Sequence, residues 1–406
     1  MASDNGPSNE GKQADAGKQA TDAVEQHVTF PPRRGSQGVL RILVLTRYSR
    51  LGASSRMRFL QFIEAFASRS VNTPRFTVSP LLDDVYIHQL YASGSRWSWH
   101  LAKRYLARLR LLVGARAYDG IWVEKELFPG LPAWGERLAA RLGVRMVVDF
   151  DDATFVFYKN QAHPVIRYLI GNKIEEVCRS ATVVTTGNSY LSEFAVDAGA
   201  ADVVTIPTVI DTDRYETHDT GEVASATQDP RPAREQLTIG WIGSPSTAPY
   251  LLLYAEALVQ AQARYGARIV TIGAPAFEIP GVQLEAHPWS EETESRLLAA
   301  CHIALAPLAQ GMFERGKCSF KVIQCMAARL PVIGSPVGVN AQIIAHGSNG
   351  YLAASPSEAL AAIDALATDP HLRRRIGLAG RRTVDQSYSL VSGKPSIAAV
   401  LSRAFT

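Results

Sequence analysis

The chain has 406 residues, which is too long for one ordinary hydrophobic core and suits two domains. Its net charge of +4, with 20 % charged residues, gives no sign of broad nucleic-acid binding, so we expect no nucleic-acid partner. Four cysteines without metal-ligand spacing, no signal peptide and no apolar run of about 18 residues argue against a secreted or membrane-spanning protein and favour a cytoplasmic one.

Residues 1–38 contain almost no large apolar side chains, and we expect a disordered tail there. From residue 39 onward, short β-branched runs alternate with helical segments, which is the pattern of buried parallel strands joined by helices. The expected strands of this first half are Leu40–Thr46, Gly120–Val123, Arg145–Phe150, Thr182–Thr186 and Val203–Pro207.

The region 216–236 is polar, contains prolines and lacks periodicity, so we interpret it as a linker or an inserted loop. The alternation of strands and helices then restarts, and it ends in helices near 356–366 and 369–387. The expected strands of the second half are Leu237–Ile242, Ala267–Ile272, Ile303–Ala306 and Pro331–Gly334. The sequence therefore predicts two tandem, doubly wound α/β domains, at 39–215 and 237–388.

A basic segment at 97–116 mixes leucines with five Lys or Arg residues and begins with Trp97 and Trp99. This composition suits a helix lying on an anionic inner-membrane surface. An ordinary helix that packs its leucines on the first domain is the alternative.

Acidic residues follow the expected strand at 145–150, in the sequence Asp149-Phe-Asp151-Asp152. Because ligands of α/β domains bind at the carboxyl ends of the strands, we select Asp151 and Asp152 as catalytic candidates that orient or deprotonate an acceptor hydroxyl. A metal site or a structural helix cap would also use such carboxylates. We expect no metal. Glu124 and Glu126 are weaker candidates for the same region.

Phosphate-binding features occur twice in the second half. Gly243 and Ser244 form a glycine turn after a strand, where the backbone can approach a phosphate closely. Lys317, Lys321 and Gln324 follow at spacings of four and three, so they share one face of an expected helix that starts at Lys317. A helix N-terminus with lysines nearby favours a bound anion.

These motifs, with Thr205-Ile-Pro-Thr-Val-Ile-Asp, Gly187-Asn-Ser-Tyr-Leu and Gly347-Ser-Asn-Gly-Tyr, resemble the retaining family 4 glycosyltransferases of the GT-B fold. The resemblance covers most of 39–401. It implies two Rossmann-like domains that face each other across a cleft, an acceptor domain first and a nucleotide-sugar domain second. Residues 389–406 are then expected to form a helix that crosses back to the first domain.

By this resemblance, the donor, a UDP- or GDP-sugar, is bound by Gly243, Ser244, Lys317, Ser319, Lys321 and Gln324. Gly52, Arg56 and Arg58 lie on the acceptor side. The family usually has two glutamates eight positions apart, and this chain has Gly316 and Gln324 in their places.

The function that we expect is sugar transfer from a nucleotide sugar to a glycan, lipid-linked or small-molecule acceptor, with retention and without a cofactor, in cell-surface polysaccharide or glycoconjugate synthesis. Because both glutamates are missing, a non-catalytic GT-B scaffold or partner subunit is one alternative. A sugar-nucleotide epimerase on the same architecture is another.

Overall fold

Residues 39–67, 74–86, 99–215, 236–275 and 277–405 are described by a computed structural model of the protein. The expected tail at 1–38, most of the expected linker at 216–236, and Trp97 lie outside these residues.

The first domain contains a six-stranded parallel sheet with the strand order β2-β1-β3-β4-β5-β6. Strands β1, β3, β4 and β5 are buried along their whole length, as expected for runs of β-branched and large apolar residues covered by helices on both faces. The strands are β1 (Arg41–Leu45), β2 (Arg75–Val78), β3 (Gly120–Glu124), β4 (Met146–Phe150), β5 (Val183–Thr186) and β6 (Val203–Thr205).

Helices join these strands. The first connection combines two α-helical pieces with a π-helical segment, Arg56–Leu60, between them. Asn188 caps a later helix, since its side chain accepts a hydrogen bond from the Leu191 N–H at 2.9 Å. The α-helices are α1 (Ala53–Ser55), α2 (Gln61–Ala67), α3 (Trp99–Val113), α4 (Trp134–Arg141), α5 (Thr154–Lys159), α6 (Pro164–Ile170), α7 (Lys173–Ser180) and α8 (Ser189–Asp197).

The second domain has another six-stranded parallel sheet, with the order β12-β11-β10-β7-β8-β9. Its first connection is a 3₁₀ helix, Pro245–Tyr254, that continues into an α-helix ending at Gly266 in the left-handed conformation. The strands are β7 (Thr238–Ile242), β8 (Arg268–Ile272), β9 (Leu284–His287), β10 (Ile303–Ala306), β11 (Val332–Gly334) and β12 (Tyr351–Leu352).

The remaining helices cover this second sheet or leave it. Ser355 and Asp369 each occupy an N-cap position and accept a backbone N–H, which fixes where two of the longest helices begin. The helices are α9 (Ala255–Tyr265), α10 (Glu294–Ala299), α11 (Met312–Arg315), α12 (Phe320–Ala327), α13 (Asn340–Ile343), α14 (Pro356–Thr368), α15 (Pro370–Ser387) and α16 (Leu390–Phe405).

Helix α16 lies on the first sheet although it follows the second domain in sequence. Ile397, Val400 and Leu401 share a buried cluster with Ile42 of β1. The ring of Phe405 occupies the space beside Gly120 that a larger side chain at that position would fill. The first domain thus takes part of its core from the segment that follows the second domain.

Helix α3 contains most of the basic segment at 97–116, and two of its arginines point inward. Arg108 is 2 % exposed and donates to the carbonyl oxygen of Ser79 at 2.9 Å, while Arg104 donates to that of Pro80 at 2.6 Å. Trp99 and Val113 remain exposed. Within the described ranges, none of the helices combines the length and apolar character needed to cross a bilayer.

Candidate functional site

The two domains meet where the loop before α12 contacts the loops after β4 and β5. The side-chain amide of Asn188 donates to the carbonyl oxygen of Gly316 at 2.9 Å. The thiol of Cys318 donates to the carbonyl oxygen of Asp151 at 3.0 Å. These bonds bring the predicted donor loop against the predicted catalytic carboxylates.

Two glycines make this approach possible. A Cβ atom on Gly316 would lie 2.5 Å from the Cβ atom of Ala153, and one on Gly187 would overlap the sulfur of Cys318. Larger residues at either position would push the domains apart. The glycine in place of the family's first glutamate is therefore part of the contact between the domains.

Asp151 and Asp152 lie directly after β4 with lysines on both sides. The ammonium of Lys125 is 2.8 Å from Asp151 Oδ1 and 3.2 Å from Asp152 Oδ2. From the second domain, the ammonium of Lys317 is 3.9 Å from Asp152 Oδ1. Burial opposes ionisation of both acids, yet Lys125 holds the pKa of Asp151 below its usual range, while burial and Asp151 together raise the pKa of Asp152.

Lys125 is a residue that the sequence reasoning missed. It is flanked by Glu124 and Glu126, and all three residues are at most 5 % exposed. The hydroxyl of Ser54 donates to Glu124 at 2.7 Å, and that of Tyr158 donates to Glu126 at 2.6 Å. Three consecutive charged residues at the end of a buried strand were the available signal.

Arg58, an acceptor-side candidate, lies inside the first domain. Its guanidinium forms two hydrogen bonds with the carboxylate of Asp149, at 2.7 and 2.9 Å, and a third with the carbonyl oxygen of Ile206 at 2.7 Å. Both charged side chains are 1 % exposed. In this arrangement Arg58 fixes the strand end that carries Asp151 and Asp152, and it does not face the cleft.

Arg56 and Gly52 also occupy defined places. Arg56 as a whole is 2 % exposed. Its guanidinium lies 4.7 Å from the ring centre of Trp289, a residue of the second domain. Its Nη1 donates to the carbonyl oxygen of Arg50 at 2.9 Å. Gly52 precedes α1, and its carbonyl oxygen accepts the Arg56 N–H. Arg56 thus stacks across the domain boundary.

On the donor side, Lys321 faces the loop after β7. Its ammonium donates to the hydroxyl of Thr247 at 2.8 Å and lies 4.2 Å from the ring centre of Trp241. A side chain on Gly243 would overlap this ammonium. Burial, together with the positive charge of Lys317, lowers the pKa of Lys321 to about 7.

Ser244 and Ser319 shape the two loops. Ser244 stands at the N-cap position of the 3₁₀ helix, where its side chain makes no capping bond to a backbone N–H, and its Oγ lies 2.9 Å from that of Ser246 in the helix. Ser319 has a left-handed backbone with φ of 54° and donates to Asn340 at 2.6 Å. Ser319 therefore holds the turn into α12.

The expectation that Lys317 starts the helix is wrong, because α12 begins at Phe320 after the turn at Ser319. Lys317 lies in the loop between α11 and α12, and its ammonium is 4.6 Å from the ring centre of Phe313 in α11. Lys317 and Lys321 therefore approach the site from a loop and from the first turn of a helix, respectively.

Gln324 is 2 % exposed, and its amide donates to the hydroxyl of Tyr215 and to Glu294, both at 3.0 Å. Glu294 also accepts hydrogen bonds from Tyr215 at 2.8 Å and from Trp289 at 2.7 Å. Sequence reasoning missed this buried carboxylate because it is 30 positions from Gln324 in the chain. A role of Gln324 at the ribose stays a prediction.

Two further observations concern metals and thiols. In the described part of the chain, no group of three or more His, Cys, Asp or Glu residues is arranged to hold a metal ion. All four cysteines are buried, and none of them forms a disulfide bond.

Comparisons with known proteins add the following. Residues 236–369 match the family model described as "Glycosyl transferases group 1". A search of curated protein sequences gave no match.

Among solved structures, HepE of Anabaena in complex with UDP-glucose has a TM-score of 0.63 at 15 % identity, with 90 % of this chain and 100 % of that chain covered. Sucrose-phosphate synthase from Thermosynechococcus elongatus has a TM-score of 0.59 at 15 % identity, with coverage of 90 % and 99 %. WaaG, described as a glycosyltransferase involved in lipopolysaccharide biosynthesis, has a TM-score of 0.59 at 16 % identity, with coverage of 89 % and 99 %.

At these identities the structural likeness establishes the fold, and the family match covers the second domain. The expected architecture of two Rossmann-like domains is confirmed. The chain has the GT-B fold and carries a group 1 glycosyltransferase domain in residues 236–369.

Proposed function

We propose that the protein transfers a sugar, with retention, from a UDP- or GDP-sugar to a hydroxyl group of a glycan, lipid-linked or small-molecule acceptor. The observation that carries this proposal is the pair of ammonium groups, Lys317 and Lys321, beside the glycine turn at Gly243. This arrangement lies at the carboxyl edge of the second sheet, where α/β domains bind nucleotides. The likeness to HepE with UDP-glucose supports the donor class.

In the proposed reaction, Lys317 and Lys321 stabilise the negative charge that develops on the departing diphosphate. Two fixed cations at this point supply the charge for which other enzymes use a metal, so we propose that no cofactor is required. Asp151 and Asp152 lie on the opposite wall, where they would orient the acceptor hydroxyl towards the anomeric carbon. We place the reaction in cell-surface polysaccharide or glycoconjugate synthesis.

The test is a panel of UDP- and GDP-sugars, with thermal unfolding of the protein as the measurement. At least one donor should raise the unfolding midpoint, and Lys317→Ala should abolish this rise. The control variant is Lys103→Ala, since Lys103 is exposed on α3, outside the site. It should keep the full response.

Two outcomes favour the alternatives. A folded wild-type protein that binds no donor would support a non-catalytic scaffold or partner subunit. Formation of an epimerised nucleotide sugar without any acceptor would support an epimerase.

We also propose weak attachment of α3 to the anionic inner face of the cytoplasmic membrane, which would place a cytoplasmic protein beside a lipid-linked acceptor. The support is the exposed set of Trp99, Lys103, Arg110, Val113 and Arg116. Replacing the three exposed basic residues by Glu should reduce co-sedimentation with anionic liposomes. Unchanged co-sedimentation would contradict this attachment. Arg108 is not included among these replacements, because it is buried and its loss would destabilise the fold.

A further inference from the structure

Strand β3 ends in a segment that is unfavourable unless the surrounding structure stabilises it. Glu124, Lys125 and Glu126 place three consecutive charges in the interior. Lys125 also has a φ of 63°, a left-handed conformation that is uncommon for a residue with a side chain. Such a conformation is strained and concentrates at functional sites.

The left-handed turn at Lys125 directs its ammonium to Asp151 and Asp152 rather than to its neighbours in sequence. The ammonium lies 2.8 Å from Asp151 and 3.2 Å from Asp152, on the loop after the adjacent strand β4. Two carboxylates this close, with little water around them, would otherwise repel each other, and one would take up a proton. One cation between them offsets this repulsion and favours the ionised form of each.

A second buried lysine shows what a purely internal ion pair looks like in the same domain. The side chains of Lys173 and Glu126 pair at 0 % and 1 % exposure, respectively. The partners of Lys125 are different, because Asp151 and Asp152 keep 14 % and 28 % of their side-chain surface. Asp152 also reaches towards Lys317 of the donor loop at 3.9 Å. The carboxylates that Lys125 holds thus face the cleft between the domains.

We infer that Lys125 is a positioning residue for sugar transfer, whose ammonium favours the ionised forms of Asp151 and Asp152 and holds them side by side opposite the donor diphosphate. This inference rests on the proposed function. The other charged groups around this cluster are Glu124, Arg47, Arg58 and Lys317. Arg58 is paired with Asp149 and Arg47 with Glu126, and Lys317 lies 3.9 Å from Asp152, so the removal of Lys125 leaves the two aspartates with less compensation.

The experiment compares Lys125→Met and Lys125→Arg with the wild type. The measured quantity is the release of nucleoside diphosphate from a UDP- or GDP-sugar, with water as the acceptor, as a function of pH. Without the ammonium, the pKa values of the aspartates rise, so the acidic limb of the profile should move up by about one pH unit or more. The Arg variant keeps the charge and should restore most of the wild-type profile.

The matched control is Lys173→Met, which removes a buried lysine that does not contact the aspartates. Lys173→Met should lower the stability of the protein and leave its pH profile unchanged. In Lys125→Met, the donor affinity measured by calorimetry should change less than threefold. Difference infrared spectra report carboxylate protonation without turnover. They should show a protonated band at higher pH in Lys125→Met than in the wild type.

If Lys125→Met does not fold, the same loss is tested in an Asp152→Asn background, where the uncompensated charge is reduced. There, adding Lys125→Met should still move the protonated carboxyl band of Asp151 to higher pH, and an unmoved band would overturn the inference. The inference would also be overturned if Lys125→Met had the pH profile and infrared spectra of the wild type, or if the acidic limb moved equally far in Lys173→Met. Failure of the wild type to bind or cleave any nucleotide sugar would instead contradict the proposed function.

Discussion

Lys321 should take up a proton when a nucleotide sugar binds. Its ammonium is held by the Thr247 hydroxyl and the Trp241 ring. Among the residues that the structure describes, no carboxylate lies within 4.0 Å of it. Burial lowers its pKa to about 7, so a large fraction of the molecules carry a neutral amine there near neutral pH. A diphosphate beside it favours the ammonium form and raises the pKa again.

The size of the effect follows from this pKa. At pH 8 only about one tenth of the unliganded protein carries the charge, so binding should take up close to one proton. The affinity should fall about tenfold between pH 8 and pH 9, which corresponds to about 1.4 kcal/mol. Below pH 6 the lysine is already charged, and the affinity should not depend on its titration.

Calorimetry in buffers of different ionisation enthalpy measures the proton uptake directly. A nucleotide sugar is the better ligand, because its diphosphate has no group that titrates near neutral pH. Lys321→Met should abolish the uptake, and the exposed control Lys103→Ala should keep it. Equal binding heats in all buffers at pH 8, with tight binding, would refute the reasoning.

Three further predictions concern stability and the contact between the domains. Arg58→Met leaves Asp149 buried without its partner and should cost about 3–5 kcal/mol in urea denaturation, whereas a value below 1 kcal/mol would show that the pair contributes little. Gly316→Val places a side chain against Ala153 and should open the cleft, which small-angle scattering would detect as a larger radius of gyration; an unchanged radius contradicts this. Phe405→Ala removes a ring packed on the first sheet and should cost about 3–5 kcal/mol, and an unaltered unfolding midpoint would count against that packing.

The central strands could be predicted from the sequence because burial on both faces selects continuous apolar runs. The expected strand at 303–306 coincides with β10, and the other central strands differ by one residue at one or both ends. The edge strand β6 was also predicted, with an end two residues too late. Strands β2, β9 and β12 were not predicted. All three lie at sheet edges, where partial burial leaves a mixed sequence without a clear period.

The candidate site was less accessible to sequence reasoning, since its chemistry depends on contacts between distant residues. The lysines of the donor loop could be selected from their spacing, but the turn at Ser319, which separates Lys317 from the helix, depends on a bond to Asn340. The sequence likewise does not show whether an arginine side chain faces a cleft or a buried carboxylate. Arg58 pairs with Asp149, 91 positions away, and only the fold brings them together.

Helix α16 has a consequence for how the protein is made. The first domain contains all six strands of its sheet before the second domain is synthesised, yet one face of that sheet is completed by Ile397, Val400, Leu401 and Phe405. During translation this apolar face therefore stays exposed until the second domain and α16 have been synthesised. The first domain expressed without α16 should therefore aggregate or recruit chaperones, and adding α16 through a flexible linker should restore its solubility.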